Sequence, residues 1–125
     1  MNLRLTLLGA RLAVCRLDAD DAVPGSAWSG GFCSVTRTPH ELSIVCDEAA
    51  APSNGRCEPG WRAMVIAGQL DFGLVGVIAS LAAPLAAKGV PIFVLSTYDT
   101  DYLLVKETRL AEAITTLEDA GHSLV

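Results

Sequence analysis

The sequence lacks the basic clusters that nucleic-acid-binding proteins carry. Its 9 lysine and arginine residues form no block, and against 14 acidic residues they leave a formal net charge of -5. Binding to DNA or RNA depends on a basic surface that neutralises phosphates, so no nucleic-acid partner is expected. The mild acidity is compatible with many soluble domains and does not select a ligand.

The sequence also lacks an apolar run long enough to cross a membrane. Its longest low-charge stretch, 72–87, is shorter than the roughly 20 residues that a spanning helix needs, and it contains Pro84. Near the N-terminus, Arg4 and Arg11 interrupt the apolar residues, and no small-x-small cleavage site of a secretory signal follows. We therefore expect no membrane segment and a cytoplasmic protein.

Motifs for metal binding and catalysis are missing as well. The four cysteines, Cys15, Cys33, Cys46 and Cys57, include no C-x-x-C and lie near no histidine pair. This spacing argues against both a metal site and a disulfide framework. The sequence has no G-x-S-x-G nucleophile elbow and no G-x-G-x-x-G dinucleotide motif. We predict no catalytic residue, no metal and no cofactor.

What the sequence does contain is material for a core: 51% of its 125 residues are hydrophobic. That suffices for one compact domain, or for two small units sharing a core. Alternating or continuous apolar runs predict strands at 3–8, 11–17, 32–38, 41–46, 61–67, 90–95, 102–106 and 122–125. Helical spacing predicts helices at 74–88 and 108–120. The loop at 47–60 should be the most mobile part, and His40 and His122 should lie at the surface.

The helix predicted at 74–88 has no charged face. One side carries Leu74, Val77, Ile78, Leu81 and Leu85, and the other carries Gly76, Ala79, Ser80, Ala83 and Ala87. Such a helix is usually covered on both sides, so a second packing partner is expected on its small-residue face. Pro84 should either kink the helix or leave the carbonyl of Ser80 without its helical donor, and Gly89 should end the helix.

A polar segment, STYDTD at 96–101, interrupts the apolar strands and is the best functional candidate. In a strand, Asp99 and Asp101 would point to the same face, whereas in a tight turn they need not. We expect Asp101 to face a ligand. Asp99 either does the same or serves as a solvated turn residue.

The two halves of the chain repeat one plan. Residues 15–18 end a strand as residues 68–71 do, offset by 53 positions, and 34–38 precede a strand as 96–100 do, offset by 62. The second half thus gains nine residues and reads β-α-β-β-α-β, while the first looks like the same plan with eroded helices. The predicted units are 1–60, the degenerate half of strands and loops, and 61–125, the complete half, packed as one body.

Three segments of the sequence resemble a known protein family. The segments LDFGLVGVIASLAAPLAAKGVPIFVLSTYDTDYLLVKE, FCSVTRTPHELSIVCDE and GWRAMVIAGQLDF resemble the ACT domain, a ferredoxin-like α+β module, in its short bacterial tandem form. They are also similar to the ACT units of eukaryotic cytosolic arginine sensors. The resemblance covers residues 8–120. It implies a βαββαβ fold in each unit and a non-catalytic regulatory protein that binds a free amino acid.

The resemblance also implies where the ligand binds, namely between two ACT units, at the first strand-to-helix turn and the facing strand. The resemblance implies Thr97, Tyr98 and Asp101, which match the sensors' motif, and the turn of Asp71, Phe72, Gly73, Leu74 and Val75, which occupies the other position. The polar segment adds Asp99, and the internal repeat adds Ser34 and Val35 as a facing wall. Backbone N–H groups at a turn opening a helix suit the ligand's carboxylate. A carboxylate such as that of Asp101 suits an ammonium or a cationic side chain. Whether the pocket forms within one chain or between two stays open.

Two rival interpretations remain. The protein could be a ligand-free ACT module that only dimerises through sheet edges or helices, or a small enzyme using Tyr98, Asp99 and Asp101. A regulatory domain without an attached enzyme has to act through an oligomer or a partner. We therefore expect a homodimer and an unidentified protein partner, with the small-residue face of helix 74–88 as a surface for either.

Overall fold

The computed structural model describes residues 1–68, 71 and 73–125. Within them the chain is α+β. Its strands are β1 (Arg4–Leu7), β2 (Leu12–Leu17), β3 (Cys33–Arg37), β4 (Leu42–Asp47), β5 (Arg56–Ile66), β6 (Phe93–Ser96), β7 (Asp101–Lys106) and β8 (Ser123–Leu124). Its α-helices are α1 (Val77–Ala87) and α2 (Leu110–Asp119), and short 3-10 turns span Gly25–Trp28, Glu48–Ala50 and Glu107–Arg109. Neither helix is long and apolar enough to cross a bilayer.

The chain divides into two units. Unit 1 comprises Met1–Gly9 and Arg62–Val125, and unit 2 comprises Ala10–Trp61. The first nine residues thus group with the second half of the sequence, a division that differs from the predicted 1–60 and 61–125. Strand pairing is the reason, since β1 is antiparallel to β5 and parallel to β8, with Leu5 opposite both Ile66 and Leu124.

Unit 1 has the strand order β8-β1-β5-β7-β6, where β5 contributes residues 62–66. From β5 onward the elements follow the predicted β-α-β-β-α-β order, and β1 is inserted between the last strand and the first. Both helices contribute apolar side chains to the core of this unit. Its buried members are Leu5, Met64, Ile66, Val77, Leu81, Leu85, Val90, Leu103, Val105, Ala113 and Leu117.

Helix α1 begins later than predicted. Gly76 is the N-cap residue, with φ 83°, a left-handed conformation that favours glycine. A residue in this conformation cannot be part of a right-handed helix, so the helix cannot extend to earlier residues. The helix therefore starts at Val77 rather than at residue 74, and Leu74 lies outside it with 47% of its surface exposed. At the other end the prediction is confirmed, because Gly89 has φ 69° and Val90 donates to the carbonyl of Leu85 at 3.0 Å.

In unit 1, His122 contacts the backbone carbonyl of Ser80, the group that Pro84 leaves without its helical hydrogen-bond donor. Proline has no N–H, so the Ser80 carbonyl loses its usual donor four residues on, as predicted. The Nε2 of His122 lies 3.0 Å from that carbonyl, and Nδ1 accepts the N–H of Leu3 at 3.0 Å. The second bond requires the tautomer that carries its hydrogen on Nε2. The predicted surface position of His122 is wrong, since it is only 4% exposed.

Among the described residues, most of the small-residue face of α1 is exposed, although Ser80 is partly buried. Ala79, Ala83, Ala86 and Ala87 are all exposed. The buried side of the helix, by contrast, carries Val77, Leu81 and Leu85, as the spacing predicts. The second packing partner expected for this helix therefore stays a prediction.

Unit 2 repeats the plan of unit 1 with its helices reduced. Its strands run β3-β4-β2-β5 and pair antiparallel throughout, with residues 56–61 of β5 at one edge. The 3-10 turns Gly25–Trp28 and Glu48–Ala50 stand where α1 and α2 stand in the other unit. The interpretation of the first half as a degenerate copy without full helices is confirmed. Its core contains Ala13, Cys15, Leu17, Ala27, Leu42, Ile44 and Cys46.

Strand β5 is longer than predicted, because it begins at Arg56 within the expected loop at 47–60. Its register with β2 shifts between Leu12 and Val14, which lie opposite Trp61 and Glu58. Gly60, with φ 80°, lies at this shift. A bulge of this kind lets a Pro-Gly pair occur inside a strand, which the composition of the segment had argued against.

The expectation of unbonded cysteines is wrong for one pair. Cys15 on β2 and Cys57 on β5 lie directly opposite each other and form a disulfide, with their Cα atoms 4.1 Å apart. Cys33 and Cys46 are free thiols. The sequence did not reveal the bond because its two strands are 42 residues apart in the chain.

Candidate functional site

A cleft of about 410 Å³ in unit 1 contains the polar segment identified in the sequence. It lies between the start of α1 and the turn that joins β6 to β7. Its lining residues are Asp71, Leu74, Gly76, Val77, Ile78, Ala79, Ser96, Thr97, Tyr98, Asp99, Thr100 and Asp101. The turn before α1 and the 96–101 segment thus meet at one site.

The β6–β7 turn is a tight hairpin with Tyr98 and Asp99 at its tip. The N–H of Thr97 donates to the carbonyl of Thr100 at 2.8 Å, and the N–H of Thr100 donates to Oγ1 of Thr97 at 3.3 Å. Both tip residues are exposed, Tyr98 by 74%. Asp99 therefore belongs to the turn and Asp101 to strand β7. Because they are not two residues of one strand, the rule that would point both carboxylates to the same face does not apply to them.

Two hydroxyl contacts fix the base of this hairpin. Ser96 lies opposite Asp101, and its Oγ donates to Oδ1 of Asp101 at 2.6 Å. Oγ1 of Thr100 donates to the carbonyl of Ile66 on β5 at 3.0 Å. A half-buried carboxylate held by a neighbouring hydroxyl has a defined orientation before any ligand arrives.

The start of α1 contributes backbone donors that have no acceptor inside the helix. The first helical hydrogen bond runs from the N–H of Ser80 to the carbonyl of Gly76 at 3.0 Å. The N–H groups of Val77, Ile78 and Ala79 precede it and so have no acceptor inside the helix. Gly76 has no side chain with which to cap them. These three residues line the cleft, where the positive end of the helix dipole attracts anions.

The turn before the helix is ordered by Asp71. Its Oδ1 accepts the N–H of Gly73 at 2.9 Å, and its carbonyl accepts the N–H of Leu74 at 3.0 Å. This is the side-chain turn that aspartate favours, and it leads the chain towards the helix start.

Negative side chains lie on both sides of the cleft, Asp99 and Asp101 on the hairpin and Asp71 in the turn before α1. The lining residues include three carboxylates, those of Asp71, Asp99 and Asp101, and no lysine, arginine or histidine. Among the described lining residues, positive character comes from the backbone N–H groups at the start of α1. The arrangement can therefore hold a molecule with an anionic end and a cationic end.

Most of the residues predicted for the site lie in this cleft. Asp71, Leu74, Thr97, Tyr98, Asp99 and Asp101 line it. Gly73 and Val75 lie in the same turn but are not lining residues, and Phe72 lies outside the described residues. Ser34 and Val35 are half-buried on β3 in unit 2, and their role as a facing wall stays a prediction.

The site residues predicted from the sequence left out six of the lining residues, although two of the six, Ser96 and Thr100, belong to the polar segment 96–101 that the sequence had singled out. They are Gly76, Val77, Ile78, Ala79, Ser96 and Thr100. The first four were taken for helix interior because the predicted helix started at residue 74. The usable signal was the second glycine of G-x-x-G, since a glycine directly before an apolar helical run can end the turn in a left-handed conformation.

Comparison with known families agrees with the fold. A family model described as an ACT domain matches residues 56–119. The chain belongs to the ACT-domain family. A second model, described as an N-terminal domain, matches residues 10–54. The ferredoxin-like ACT fold predicted from the sequence is thereby confirmed.

Three relatives show how far the similarity extends. A crystal structure of an Agrobacterium tumefaciens protein has a TM-score of 0.93 and 40% identity, covering 100% of this chain and 93% of that one. The cytosolic arginine sensor for mTORC1 subunit 1 of Rattus norvegicus is 33% identical over 96 residues. The regulatory subunit of aspartate kinase from Thermus thermophilus has a TM-score of 0.63 at 12% identity, covering 93% of this chain and 95% of that one, and shows the fold alone.

The match to the arginine sensor covers 69% of this chain but only 29% of the sensor. The sensor and the kinase subunit have regulatory names rather than catalytic ones.

Proposed function

We propose that this protein is a non-catalytic sensor that binds a free amino acid in the cleft of unit 1. The observation that carries the proposal is that the N–H groups at the start of α1, which have no acceptor inside the helix, share one cleft with the carboxylates of the β6–β7 turn. A free amino acid brings a carboxylate and an ammonium, and both need partners when they leave water. The cleft offers a partner to each.

The ligand's carboxylate would bind at the start of α1. The N–H groups of Val77, Ile78 and Ala79 are donors without helical acceptors, and the helix dipole adds to their attraction for an anion. Gly76 has no side chain that could block these groups, and no atom of the described residues lies within 4 Å of the position that its Cβ would take.

The cationic groups of the ligand would bind at the β6–β7 turn. Asp101 is oriented by Ser96, and Asp99 lies beside it at the hairpin tip. With Asp71 also lining the cleft, the site carries more negative side chains than one ammonium requires. Arginine and lysine are therefore the first ligands to test, and the name of the rat relative points to the same class.

We further propose that the ligand binds at an interface between ACT units and that the protein acts as a homodimer or through a protein partner. Leu74, Val75 and Tyr98 support an interface near the cleft, since they are 47%, 83% and 74% exposed. The same exposure favours the alternative, a dimerisation module that binds no ligand. Sedimentation equilibrium with and without each amino acid separates the two, because only a sensor shows ligand-dependent change.

The direct test is calorimetry of the purified chain against the proteinogenic amino acids, with Asp101→Asn as the first variant. This change keeps the side-chain shape and removes its charge, so affinity should fall at least about tenfold, equivalent to about 1.4 kcal/mol. Glu118→Gln, at an exposed position of α2, serves as the matched loss of one charge and should bind normally. An Asp101→Asn affinity equal to that of the parent would refute the assigned role.

A second pair of variants tests the carboxylate end. Ala79→Glu places a negative charge at the start of α1, where it stabilises the helix but repels an anionic ligand. Ala83→Glu places the same charge on the same exposed face, one turn later and outside the cleft. Binding should be lost in the first variant and kept in the second. Equal binding by both would exclude the helix start as the carboxylate site.

The proposal retains the cytoplasm as the protein's location, and the Cys15–Cys57 bond provides a test. Disulfides persist in oxidising compartments and are rare in the cytosol. Alkylation of thiols in intact cells, followed by peptide mapping, shows whether the pair is reduced where the protein resides. A fully oxidised pair would argue for an extracytoplasmic location.

A further inference from the structure

The four cysteines of unit 2 all contribute to one hydrophobic core cluster. Cys15 and Cys46 are buried members of it, and Cys33 and Cys57 pack against it. They come from four neighbouring strands in the order β3, β4, β2 and β5. One side of this sheet therefore carries a row of sulfur atoms, of which only the Cys15–Cys57 pair is bonded.

The two free thiols have the strand geometry of a disulfide. Cys33 on β3 lies directly opposite Cys46 on β4. The hairpin closes with the N–H of Thr38 donating to the carbonyl of Glu41, so by alternation along the ladder Cys33 and Cys46 form a pair without backbone hydrogen bonds. Cα atoms in such pairs are about 4.5 Å apart, within the range that disulfides span. The Cys15–Cys57 bond shows the same cross-strand pairing already closed.

The two thiols differ in access. Cys46 is 0% exposed, whereas Cys33 is half-buried. Burial raises the pKa of both thiols, and the neighbouring Cys33 and Asp47 raise the pKa of Cys46 further. A reagent in solution therefore meets Cys33 first, and the reaction should be slow at neutral pH because little thiolate is present.

We propose that Cys33 and Cys46 form a dithiol site that a small-molecule disulfide of the glutathione type oxidises to a second cross-strand disulfide. The Cys33 thiolate attacks one sulfur of the oxidant, whose S–S bond breaks and releases one thiolate, which takes up a proton. The Cys46 thiolate then attacks the Cys33 sulfur and expels the second oxidant thiol. Two electrons pass to the oxidant, two protein thiols become one disulfide, and two small thiols are formed.

Forming this disulfide would cross-link the two strands of the β3–β4 hairpin, in the unit that has no α-helix. Unit 2 covers its sheet with two 3-10 turns, and its core includes small side chains such as Ala13 and Ala27. A small core of this kind gains most from cross-links. The oxidised protein should therefore melt at a higher temperature than the protein with both thiols free.

The arrangement of arginines makes the experiment direct. Arg11, Arg16, Arg37, Arg56 and Arg62 place each of the four cysteines on a separate tryptic peptide. The whole chain is incubated with oxidised glutathione at several pH values, quenched with acid, alkylated and digested. We expect a linked pair of peptides containing Cys33 and Cys46, formed about tenfold faster for each unit that pH rises below the thiol pKa.

Two conservative variants test the order of the steps. Cys46→Ser should stop at a stable glutathione adduct on Cys33, because the resolving thiol is gone. Cys33→Ser should take up little glutathione, because the remaining thiol is buried. Intact mass distinguishes these products without depending on stability, and near-UV circular dichroism confirms that both variants are folded.

Three outcomes would overturn the proposal. Both thiols could remain open to alkylation after prolonged oxidation. Cys33→Ser could react as fast as Cys46→Ser. The bond could instead join Cys46 to Cys15, its diagonal neighbour, since Cys46 lies opposite Ala13, two residues away on β2. That linkage would mean exchange with the existing disulfide rather than a second site.

Discussion

The β3–β4 hairpin of unit 2 and the β6–β7 hairpin of unit 1 close in the same way. Thr38 donates its N–H to the carbonyl of Glu41 at 2.9 Å, and Thr97 donates to Thr100 at 2.8 Å. In each hairpin the threonine Oγ1 accepts an N–H at the far side of the turn. Thr38 and Thr97 are thus equivalent, an offset of 59 residues (97 minus 38), so the sequence alignment offset by 62 is three residues out of register.

With the offset of 59 residues, the residues just before the two turns can be compared, and they make different contacts. Ser96 corresponds to Arg37. In unit 1, Ser96 contacts Asp101 and the space beside the hairpin is an open cleft. In unit 2, the guanidinium of Arg37 donates to the carbonyls of Ala19 and Asp21, in the loop that follows β2. One long side chain thus fills the place where the other unit offers a site.

The two units also differ in what covers and stabilises their cores. Unit 1 covers its sheet with α1 and α2, whereas unit 2 has 3-10 turns in their place and a disulfide across β2 and β5. A unit that buries less apolar surface depends more on a covalent constraint. The same order of strands is therefore stabilised by helices in unit 1 and by a disulfide in unit 2.

The strongest test of this comparison removes the cross-link. Replacing Cys15 and Cys57 together by serine frees a loop of 42 residues, and chain entropy predicts a loss of about 4 kcal/mol of unfolding free energy. Urea unfolding followed by tryptophan fluorescence measures it. Cys33→Ser, which leaves the disulfide intact, should change stability by no more than about 1 kcal/mol. Equal effects of the two changes would remove the basis for contrasting the cores.

The matching change in unit 1 is Leu81→Ala. This side chain is fully buried on α1, so its truncation should cost about 3 kcal/mol through lost burial and a cavity. Leu74→Ala removes the same atoms at a position that is 47% exposed, and its cost should stay below about 1 kcal/mol. Guanidinium unfolding of both variants gives the comparison. Similar costs at the two positions would mean that α1 does not carry the core of unit 1.

The third test concerns the histidine that compensates for a proline in α1. His122→Ala should cost about 2 kcal/mol, because the Ser80 carbonyl and the Leu3 N–H lose their partner. Pro84→Ala supplies the missing helical N–H to Ser80. In the Pro84→Ala background the cost of His122→Ala should therefore fall, which a double-mutant cycle by urea unfolding measures. Additive costs would show that the two residues are not coupled.

The smallest expected effect is that of Arg37→Ala. It removes two hydrogen bonds of an exposed guanidinium, so the stability cost should be about 0.5–1 kcal/mol. Amino-acid affinity should be unchanged, because Arg37 is not a lining residue of the cleft. Ser96→Arg is the reciprocal change and should abolish binding by filling the cleft. Calorimetry on both variants checks this, and binding by Ser96→Arg would contradict the equivalence.

Much of the fold could be predicted because its signals are local. The strands β1 to β4 and β6 to β8, with α2, fall within a few residues of the predicted spans, since alternation and helical spacing need only neighbours in sequence. The start of β5 was missed because its Pro-Gly pair is typical of loops. The hairpin side of the cleft was predicted from the polar run at 96–101. On the other side Asp71 and Leu74 were predicted, but residues 76–79 were not, because α1 was expected to begin at residue 74.

By itself the sequence determined the order of elements, the buried sides of the helices and the repetition of one plan in two halves. These follow from hydrophobic periodicity and turn residues, which act over short distances. Only the tertiary structure decided which cysteines pair, that His122 is buried against Ser80 and Leu3, and that a helix start faces a hairpin turn. Such contacts join residues as far apart as Leu3 and His122, 119 positions, and no local pattern fixes which distant groups meet.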